Sequence, residues 1–370
     1  MGPEGSAAAM LNAFIQWQEE RLARAEDRHR RIEPLAFGPE CLGLDARTHN
    51  SLASIEEYAQ RQWADTARFF APAPDRDFHF DGHSLTFNTP IEEEFCENRT
   101  VHCHVYEASK PGPAVLIIPH WNSDGTEYDL YCKYLARLGM TAACVTLPYH
   151  GRRCPEGQAS GSGMISANLG RTIRTCRQGV LEAATIVEWL AQRGHSHIGL
   201  VGVSLGTSLA TVVAAHDPRI SAMALVSLAS DFGEVIWNCR PTRHIREALD
   251  GAMTCEQLNS ALSLFSPIHY VSKLAANATA VLGISGRQDQ VFAPPLTNRL
   301  LNAFADAGVR HEHKSLACGH YTLGTFPFNV ILGRAIQRFM QHEFDNAGPT
   351  SHSLPWPIGG RPGGKERSAA

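Results

Sequence analysis

The sequence predicts an α/β protein with a mostly parallel sheet, and three observations lead to this prediction. Short apolar runs alternate with longer helical segments from about residue 113 to residue 344. Most of these runs are continuously apolar, which is typical of strands covered by helices on both faces. Two segments with alternating apolar residues precede them and predict antiparallel strands at the start of the sheet. At 370 residues and 44% hydrophobic content, the chain can bury a large core.

The first 74 residues predict a helical extension outside the sheet. One helix is expected over Ala9–Arg31, on a stripe formed by Met10, Phe14, Trp17 and Leu22, and another over Ser54–Phe70. These helices are candidates for covering a sheet edge, roofing a site or joining two copies of the chain. A homo-oligomer is therefore one expected arrangement.

The main domain is predicted over residues 75–346. A hairpin around Asp81-Gly82 opens it, and Thr100–Glu107 alternates and is expected to pair with this hairpin. Further strands are predicted over 114–119, 141–147, 198–203, 220–228, 278–284 and 310–317, with helices over 127–138, 171–193, 207–215, 296–307 and 328–344. Residues 231–276 lack strand signals and predict a small helical cap. Residues 347–370 are rich in Pro, Gly and Ser and predict a flexible tail.

Composition narrows the functional classes. The net charge of −4 gives no indication of a nucleic-acid partner, and no apolar run is long enough to span a membrane. The N-terminal segment lacks the pattern of a secretory signal, so a cytoplasmic protein is expected. Ten scattered cysteines without a C-x-x-C pair predict reduced, mostly buried thiols, with no metal site and no cofactor.

The segment around Ser204 carries the strongest functional signal. Gly202-Val203-Ser204-Leu205-Gly206 follows a predicted buried strand and precedes a predicted helix. In this context G-x-S-x-G predicts a sharp turn that presents a nucleophilic serine at a helix N-terminus. The small residues relieve crowding at the turn, and the helix dipole favours a developing oxyanion.

A nucleophilic serine needs a base and an acid that orients the base. Asp289 and His320 each come just after a predicted strand, at the carboxyl edge where α/β sheets build their sites. Asp231 is the alternative acid because it also follows a predicted strand. Asp289 is preferred since it lies in a Gly-x-x-Asp loop.

These motifs resemble those of the α/β-hydrolase superfamily, in the order nucleophile, acid, histidine. The resemblance spans about residues 78–344 and is greatest for the dienelactone-hydrolase, acetyl-esterase and prolyl-oligopeptidase-like branch. It implies an α/β-hydrolase fold, with Ser204 as nucleophile, His320 as general base and acid, and Asp289 as its orienting acid. Catalysis of this kind uses no metal or organic cofactor.

The resemblance also implies an oxyanion hole with two backbone donors. Leu205 N–H is expected to supply one, and Trp121 or Asn122, after the strand over 114–119, the other. His120 in the same loop is expected to brace the loop, and it is also a candidate for the substrate pocket.

The loop Leu147–Arg153 resembles a Pro-x-His-Gly turn of the superfamily, which makes Tyr149 and Arg152 further candidates for the substrate pocket. Arg152 and Arg153 could contact a substrate carboxylate, or they could instead brace this loop. The pairs His102 with His104 and His311 with His313 share strand faces, but no carboxylate or cysteine completes a metal site around them.

The sequence therefore predicts a serine hydrolase that cleaves a small-molecule carboxylic ester. An acyltransferase, a thioesterase or a peptidase would use the same residues, although no repeat of about 40 residues is present to build the propeller of related peptidases. A non-catalytic binding scaffold is the remaining alternative.

Overall fold

A nine-stranded sheet forms the centre of the molecule. The structure is a computed structural model and describes residues 3–27, 30–72 and 77–347. In spatial order the strands are β1-β2-β3-β5-β4-β6-β7-β8-β9. Their bounds are β1 His79–Phe80, β2 Ser84–Asn88, β3 Thr100–Tyr106, β4 Ala114–Ile118, β5 Thr141–Val145, β6 Ile198–Val203, β7 Ile220–Val226, β8 Ala280–Gly286 and β9 His311–Leu316.

The pairing of the strands confirms the predicted mixed sheet. β1, β2 and β3 pair antiparallel, and β3 joins β5 antiparallel. β5, β4, β6, β7, β8 and β9 run parallel to one another. β4 and β5 are buried at every position, as expected for strands with helices on both faces. The carboxyl ends of the parallel strands therefore share one edge of the sheet.

Helices cover both faces of this sheet. Their bounds are α1 Pro3–Asp27, α2 Ala46–His49, α3 Leu52–Trp63, α4 Thr66–Phe69, α5 Asp129–Arg137, α6 Leu169–Gln192, α7 Leu205–His216, α8 Phe232–Asn238, α9 Arg243–Leu249, α10 Cys255–Ala261, α11 Val271–Ala276, α12 Pro294–Asp306 and α13 Phe328–Asn346. The core on one face includes residues of α6, α7 and α12, and the core on the other includes residues of α5 and α13. None of the described helices has the length and apolar composition needed to cross a membrane.

Two predictions in the N-terminal region need correction. The helix predicted over Ser54–Phe70 is two helices, α3 and α4, because the Asp65 carboxylate accepts the Arg68 N–H and starts a new helix. Only part of the predicted apolar stripe of α1 is packed: Leu22 is half-buried and lines a cavity, whereas Phe14 and Trp17 are 55% and 56% exposed. The buried apolar residues are Ile15 and Ala23, because the surface beneath the helix, and not its periodicity alone, selects the face that packs.

The four helices α8 to α11 occupy the region predicted as a small cap. α10 packs on α8 and on α3, and Trp63 of α3 donates its indole N–H to Ser263 at 3.0 Å. The cap region and the N-terminal helices therefore pack on each other. Of the predicted tail, residues 348–370 lie outside the described residues.

A buried ion pair braces the long loop between β5 and α6. The Arg153 guanidinium, fully buried, binds both carboxylate oxygens of Glu182 at 2.6 and 2.7 Å. It also donates to the carbonyls of Thr146 and Asn98 at 2.8 and 3.0 Å. This geometry fixes the loop to α6 and gives Arg153 the bracing role that the sequence left open.

Candidate active site

Ser204 lies at the turn between β6 and α7 in a strained backbone conformation. Its backbone angles, φ 52° and ψ −115°, fall outside the regions that residues other than glycine ordinarily adopt. The neighbouring backbone leaves no room for side chains at the flanking glycines. A Cβ on Gly202 would lie 2.5 Å from the Gly206 carbonyl oxygen, and one on Gly206 would lie 2.0 Å from the Ile118 oxygen. The second contact brings the end of β4 against the start of α7.

The three residues singled out in the sequence form one hydrogen-bonded chain. His320 Nε2 lies 3.2 Å from Ser204 Oγ. On the other side of the ring, Nδ1 lies 3.0 Å from Asp289 Oδ2. If Nδ1 carries the proton, Nε2 is free to accept the serine proton, which is the geometry that activates a hydroxyl nucleophile.

Asp289 is buried and held in place by the backbone of its own loop. Its Oδ1 accepts the N–H groups of Val291 and Phe292 at 2.8 and 2.7 Å, which leaves Oδ2 directed at His320. The Phe292 ring lies nearly parallel to the His320 ring, with centroids 5.4 Å apart. Asp231, the alternative acid, instead binds Arg299 at 2.7 Å and Asn259 at 3.1 Å.

The surroundings of His320 act on its pKa in opposite directions. Burial of the ring lowers the pKa, whereas the charge and hydrogen bond of Asp289 and the charge of Glu19 raise it. The net result is a pKa above the usual value for histidine. The negative neighbours therefore favour the charged, imidazolium form of the ring.

The candidate oxyanion donors lie beside Ser204. Leu205 is the first residue of α7, so its N–H has no acceptor within the helix. Trp121, Asn122, Ser204 and Leu205 all line the same cavity. Asn122 has a φ of 73°, and its side-chain amide, in the orientation that satisfies its neighbours, donates to the Ser160 carbonyl at 2.9 Å. The loop after β4 is therefore held next to the turn at Ser204.

His120 both lines the cavity and braces its loop. Its Nδ1 lies 2.7 Å from the Tyr128 hydroxyl, and its Nε2 lies 3.6 Å from a Glu127 carboxylate oxygen. The two expectations for this histidine are thus compatible with each other.

The cavity that contains Ser204 has a volume of about 850 Å³ and a largely apolar lining. One group of lining residues belongs to α8 and to the loop after Asp289. A second group belongs to the facing helices α5 and α13. The apolar members of the two groups are Phe232, Val235, Ile236, Val291 and Phe292, and Leu130, Tyr131, Val330, Leu332 and Ile336. The volume lies in the range of cavities that bind small molecules.

Tyr149 and Arg152 were expected at the substrate pocket, and the structure corrects this expectation. Neither is among the described residues that line the cavity. Tyr149 is buried, and its hydroxyl donates to Glu93 at 3.3 Å, while Arg152 is exposed. Arg153 ties the first part of the loop after β5 to α6, while Ile165, near the end of the same loop, lines the cavity.

Two contacts near the site were not found from the sequence. Glu19 of α1 binds the backbone of the His320 loop, and the Arg30 guanidinium stacks over the Trp121 ring at 4.1 Å. Both residues lie far along the chain from the groups they contact, and no local motif marks them.

One histidine of each strand-face pair is engaged in another contact. His104 Nδ1 lies 3.1 Å from Asp129, and His313 Nε2 lies 2.9 Å from the Ser285 hydroxyl. Among the described residues, no group of three or more His, Cys, Asp or Glu side chains is arranged to hold a metal ion. All ten cysteines are free thiols, and six of them are buried.

The fold, with Ser204 at the turn between β6 and α7, is that of the α/β-hydrolase superfamily. The family model for "Alpha/beta hydrolase domain containing 18" matches residues 128–277, a segment that includes Ser204 and the cap helices. A search of curated proteins gives no significant sequence match. The fold and the match to this family model confirm the resemblance to the α/β-hydrolase superfamily that the sequence motifs indicated.

Solved structures of esterases and of a peptidase share the fold at low sequence identity. Acetyl xylan esterase 1 from Thermoanaerobacterium has 18% identity and a TM-score of 0.55, over 78% of this chain and 93% of the esterase chain. An acetyl xylan esterase from Paenibacillus has 16% identity and a TM-score of 0.56, over 78% and 94%. A puromycin-hydrolysing peptidase from Mycobacterium tuberculosis has 17% identity and a TM-score of 0.52, over 66% of this chain and 37% of the peptidase chain.

Proposed function

We propose that this protein is a serine hydrolase that cleaves carboxylic esters with an apolar acyl group. One observation carries the proposal: the hydrogen-bonded chain from Ser204 through His320 to Asp289 opens into a largely apolar cavity. A serine hydroxyl placed against an oriented histidine is a nucleophile for acyl transfer. The apolar walls favour an uncharged substrate over a polar or charged one.

The chemistry would proceed in two steps. In the first, Ser204 Oγ attacks the ester carbonyl carbon while His320 Nε2 takes the serine proton. The histidine then returns this proton to the leaving alcohol as the carbon–oxygen bond breaks and an acyl-enzyme forms. In the second step, water attacks the acyl carbon while His320 takes a proton from the water. His320 then returns this proton to Ser204 Oγ as the acyl–oxygen bond breaks, which releases the carboxylic acid and restores the free serine.

Charge on the carbonyl oxygen would be stabilised at the start of α7. The N–H of Leu205 and a backbone N–H of Trp121 or Asn122 are the proposed donors, since both chain segments line the cavity beside Ser204. The N-terminal end of α7 adds a favourable dipole at the same position.

The experiment compares wild-type protein with Ser204→Ala in two assays. One measures hydrolysis of p-nitrophenyl esters, and the other measures labelling by a fluorophosphonate that reacts with activated serines. We expect both signals in the wild type, and a loss of several orders of magnitude of turnover in Ser204→Ala. Ser221→Ala is the matched control, because Ser221 lies at the start of β7, outside the cavity lining.

The other outcomes identify the alternatives. Labelling without hydrolysis, together with product formation when an alcohol or amine is added, would indicate an acyltransferase. Hydrolysis confined to thioesters or to peptide amides would indicate a thioesterase or a peptidase. Absence of both labelling and turnover would refute the proposal and favour a binding scaffold. Location in the cytoplasm remains a prediction from the sequence.

A further inference from the structure

One face of α1 lies against the candidate active site. Ile15, Glu19, Leu22 and Ala23 are spaced four, three and one residues apart, so they share a side of the helix. Ile15 and Ala23 are buried, Glu19 and Leu22 are half-buried, and Leu22 lines the cavity with Ser204. A helix from the start of the chain therefore forms part of the site's wall.

Glu19 is the polar residue of this face, and it binds the loop that carries His320. Its Oε1 accepts the backbone N–H of Thr322 at 2.6 Å, and its Oε2 accepts that of Tyr321 at 3.2 Å. The carboxyl group lies directly on Gly319, where an added Cβ would be 2.3 Å from Glu19 Cδ. The carboxylate thus contacts the residue before His320 and the two residues after it.

The loop needs such a partner because it follows the end of β9 and makes a tight turn. The Gly319 N–H is bound within the turn by the Thr322 hydroxyl at 2.9 Å. The N–H groups of Tyr321 and Thr322 point out of the turn towards Glu19 of α1. A carboxylate that accepts both of them forms strong, charge-assisted hydrogen bonds that fix the loop's conformation.

Other contacts fix α1 beside the acid loop and the cap region. Gln288, which precedes Asp289, donates its amide to Asn12 at 2.7 Å. Glu20 forms an ion pair with Arg240, in the segment after α8. The helix therefore contacts the two loops that carry His320 and Asp289 without depending on Glu19 alone for its place.

We propose that Glu19 is a positioning residue, which holds the loop of His320 so that Nε2 stays within reach of Ser204 Oγ. This inference rests on the proposed function, because it assumes that His320 is the base. Glu19 does not touch the reacting atoms. Its action on the reaction passes through the backbone of residues 319–322 and through the electrostatic field at the imidazole.

Several titratable groups face His320. Asp289 comes from the loop after β8, Glu19 from α1 and Tyr321 from the loop itself. Cys239, after α8, and Cys318 lie close enough to Asp289 for its charge to act on them. Of these, the carboxylates of Asp289 and Glu19 raise the pKa of His320. Burial raises the pKa of the Cys239 thiol to about 11 and that of Cys318 to about 12, so both stay neutral during catalysis.

The kinetic test compares Glu19→Ala and Glu19→Gln with Glu20→Gln, with all rates normalised by titration of reactive sites with fluorophosphonate. Glu20 is the matched control because it is the neighbouring acid on the same helix and does not contact the His320 loop. We expect Glu19→Ala to lower kcat about 10- to 100-fold with little change in KM, since small displacements of a catalytic group cost rates of this order. Glu19→Gln keeps one acceptor oxygen and is expected to lie between Glu19→Ala and the wild type.

The pH profile separates positioning from a loss of folded protein. The base works only when neutral, so activity falls as the pH drops through the pKa of His320. Removal of the Glu19 charge lowers that pKa, so the acid limb of kcat/KM moves to lower pH in both Glu19 variants and stays in place in Glu20→Gln. A role confined to stability would reduce the number of titrated sites and leave the acid limb unchanged.

Hydrogen exchange at the amides of Tyr321 and Thr322 tests the contact without any substrate. Glu19→Ala should accelerate exchange at these two amides, while Glu20→Gln should not. Unchanged exchange, or a kcat and acid limb equal to those of Glu20→Gln, would overturn the inference. Faster exchange in a protein whose wild type neither labels nor hydrolyses esters would instead refute the proposed function, because the loop would be held for some other reason.

Discussion

Replacement of Leu332 by tryptophan should shorten the acyl chain that the cavity accepts. Leu332 lies on α13, is half-buried and lines the cavity wall that faces α5. An indole at this position extends into the space between the two helices. Ile331 is the matched control, because it is the adjacent residue, is 46% exposed and is not part of the cavity lining.

The expected size of the effect follows from the apolar surface of this wall. Burial of one methylene group contributes about 0.8 kcal/mol, so the four that separate butyryl from octanoyl contribute at most about 3 kcal/mol. This upper bound corresponds to a factor of roughly 200 in kcat/KM, at 1.36 kcal/mol for each tenfold change. Leu130 of α5 and Val330 of α13 are exposed to solvent, so an acyl chain along this wall is only partly buried. We therefore expect the wild-type kcat/KM to be about tenfold or more higher for octanoate than for butyrate.

The assay measures kcat/KM for p-nitrophenyl acetate, butyrate and octanoate with each variant. Leu332→Trp should lose most of the preference for octanoate and retain hydrolysis of acetate within a few-fold. Ile331→Trp should keep the wild-type profile. A wild type that prefers acetate, or a Leu332→Trp variant with an unchanged profile, would refute the assignment of this wall to the acyl chain.

Three further predictions concern the hydrogen-bonded chain and the stability of the fold. Asp289→Asn should lower kcat by about 10³- to 10⁴-fold, because the amide no longer orients His320 or stabilises its charged form; retention of most of the steady-state rate would contradict this role. Arg153→Met should destabilise the protein by about 3–5 kcal/mol in urea unfolding, because the buried Glu182 carboxylate would lose its positively charged partner and keep only neutral donors; a loss below about 1 kcal/mol would show that the pair is dispensable. Burial lowers the pKa of both His150 and His216 to about 4, so the unfolded chain takes up protons first as the pH falls below 6.5. These two histidines should therefore contribute a loss of stability of about 2–3 kcal/mol between pH 7 and pH 5.5, measured by urea unfolding. His216→Leu should reduce the pH dependence of stability, whereas an equal dependence in both proteins would count against the buried neutral histidine.

The sequence predicted the sheet well because buried parallel strands are marked by short, continuous apolar runs. It also singled out Ser204 and Asp289, which follow such runs, and His320, which follows the polar strand β9, all at the carboxyl edge of the sheet. Local patterns suffice for these features, since strand ends and tight turns depend on neighbouring residues. The structure then brings the three side chains within hydrogen-bond distance of one another.

Features that depend on contacts between distant segments could not be predicted. Phe14 and Trp17 have the periodicity of a packed face, yet they are exposed, because α1 docks through Ile15 and Ala23. Glu19 lies about 300 residues from the loop that it binds, and an acidic residue on a helix is usually solvated.

The loop after β5 shows the same limit. Two adjacent arginines follow His150-Gly151, and the sequence does not distinguish them. The structure buries Arg153 against Glu182 and leaves Arg152 exposed, because only one of the two side chains can point towards α6. Burial of this one residue fixes the first part of the loop to α6, and Ile165 near its end contributes to the cavity wall.

The most direct test of the central claim is to locate the residue that a fluorophosphonate modifies. Intact-mass measurement and peptide mapping of the labelled protein would give the number of modified sites and their position. The proposed mechanism predicts one phosphonyl group, on Ser204, with labelling lost in Ser204→Ala and slowed in Asp289→Asn. Labelling of another serine, or equal labelling of wild type and Ser204→Ala, would contradict the assignment of Ser204 as the nucleophile.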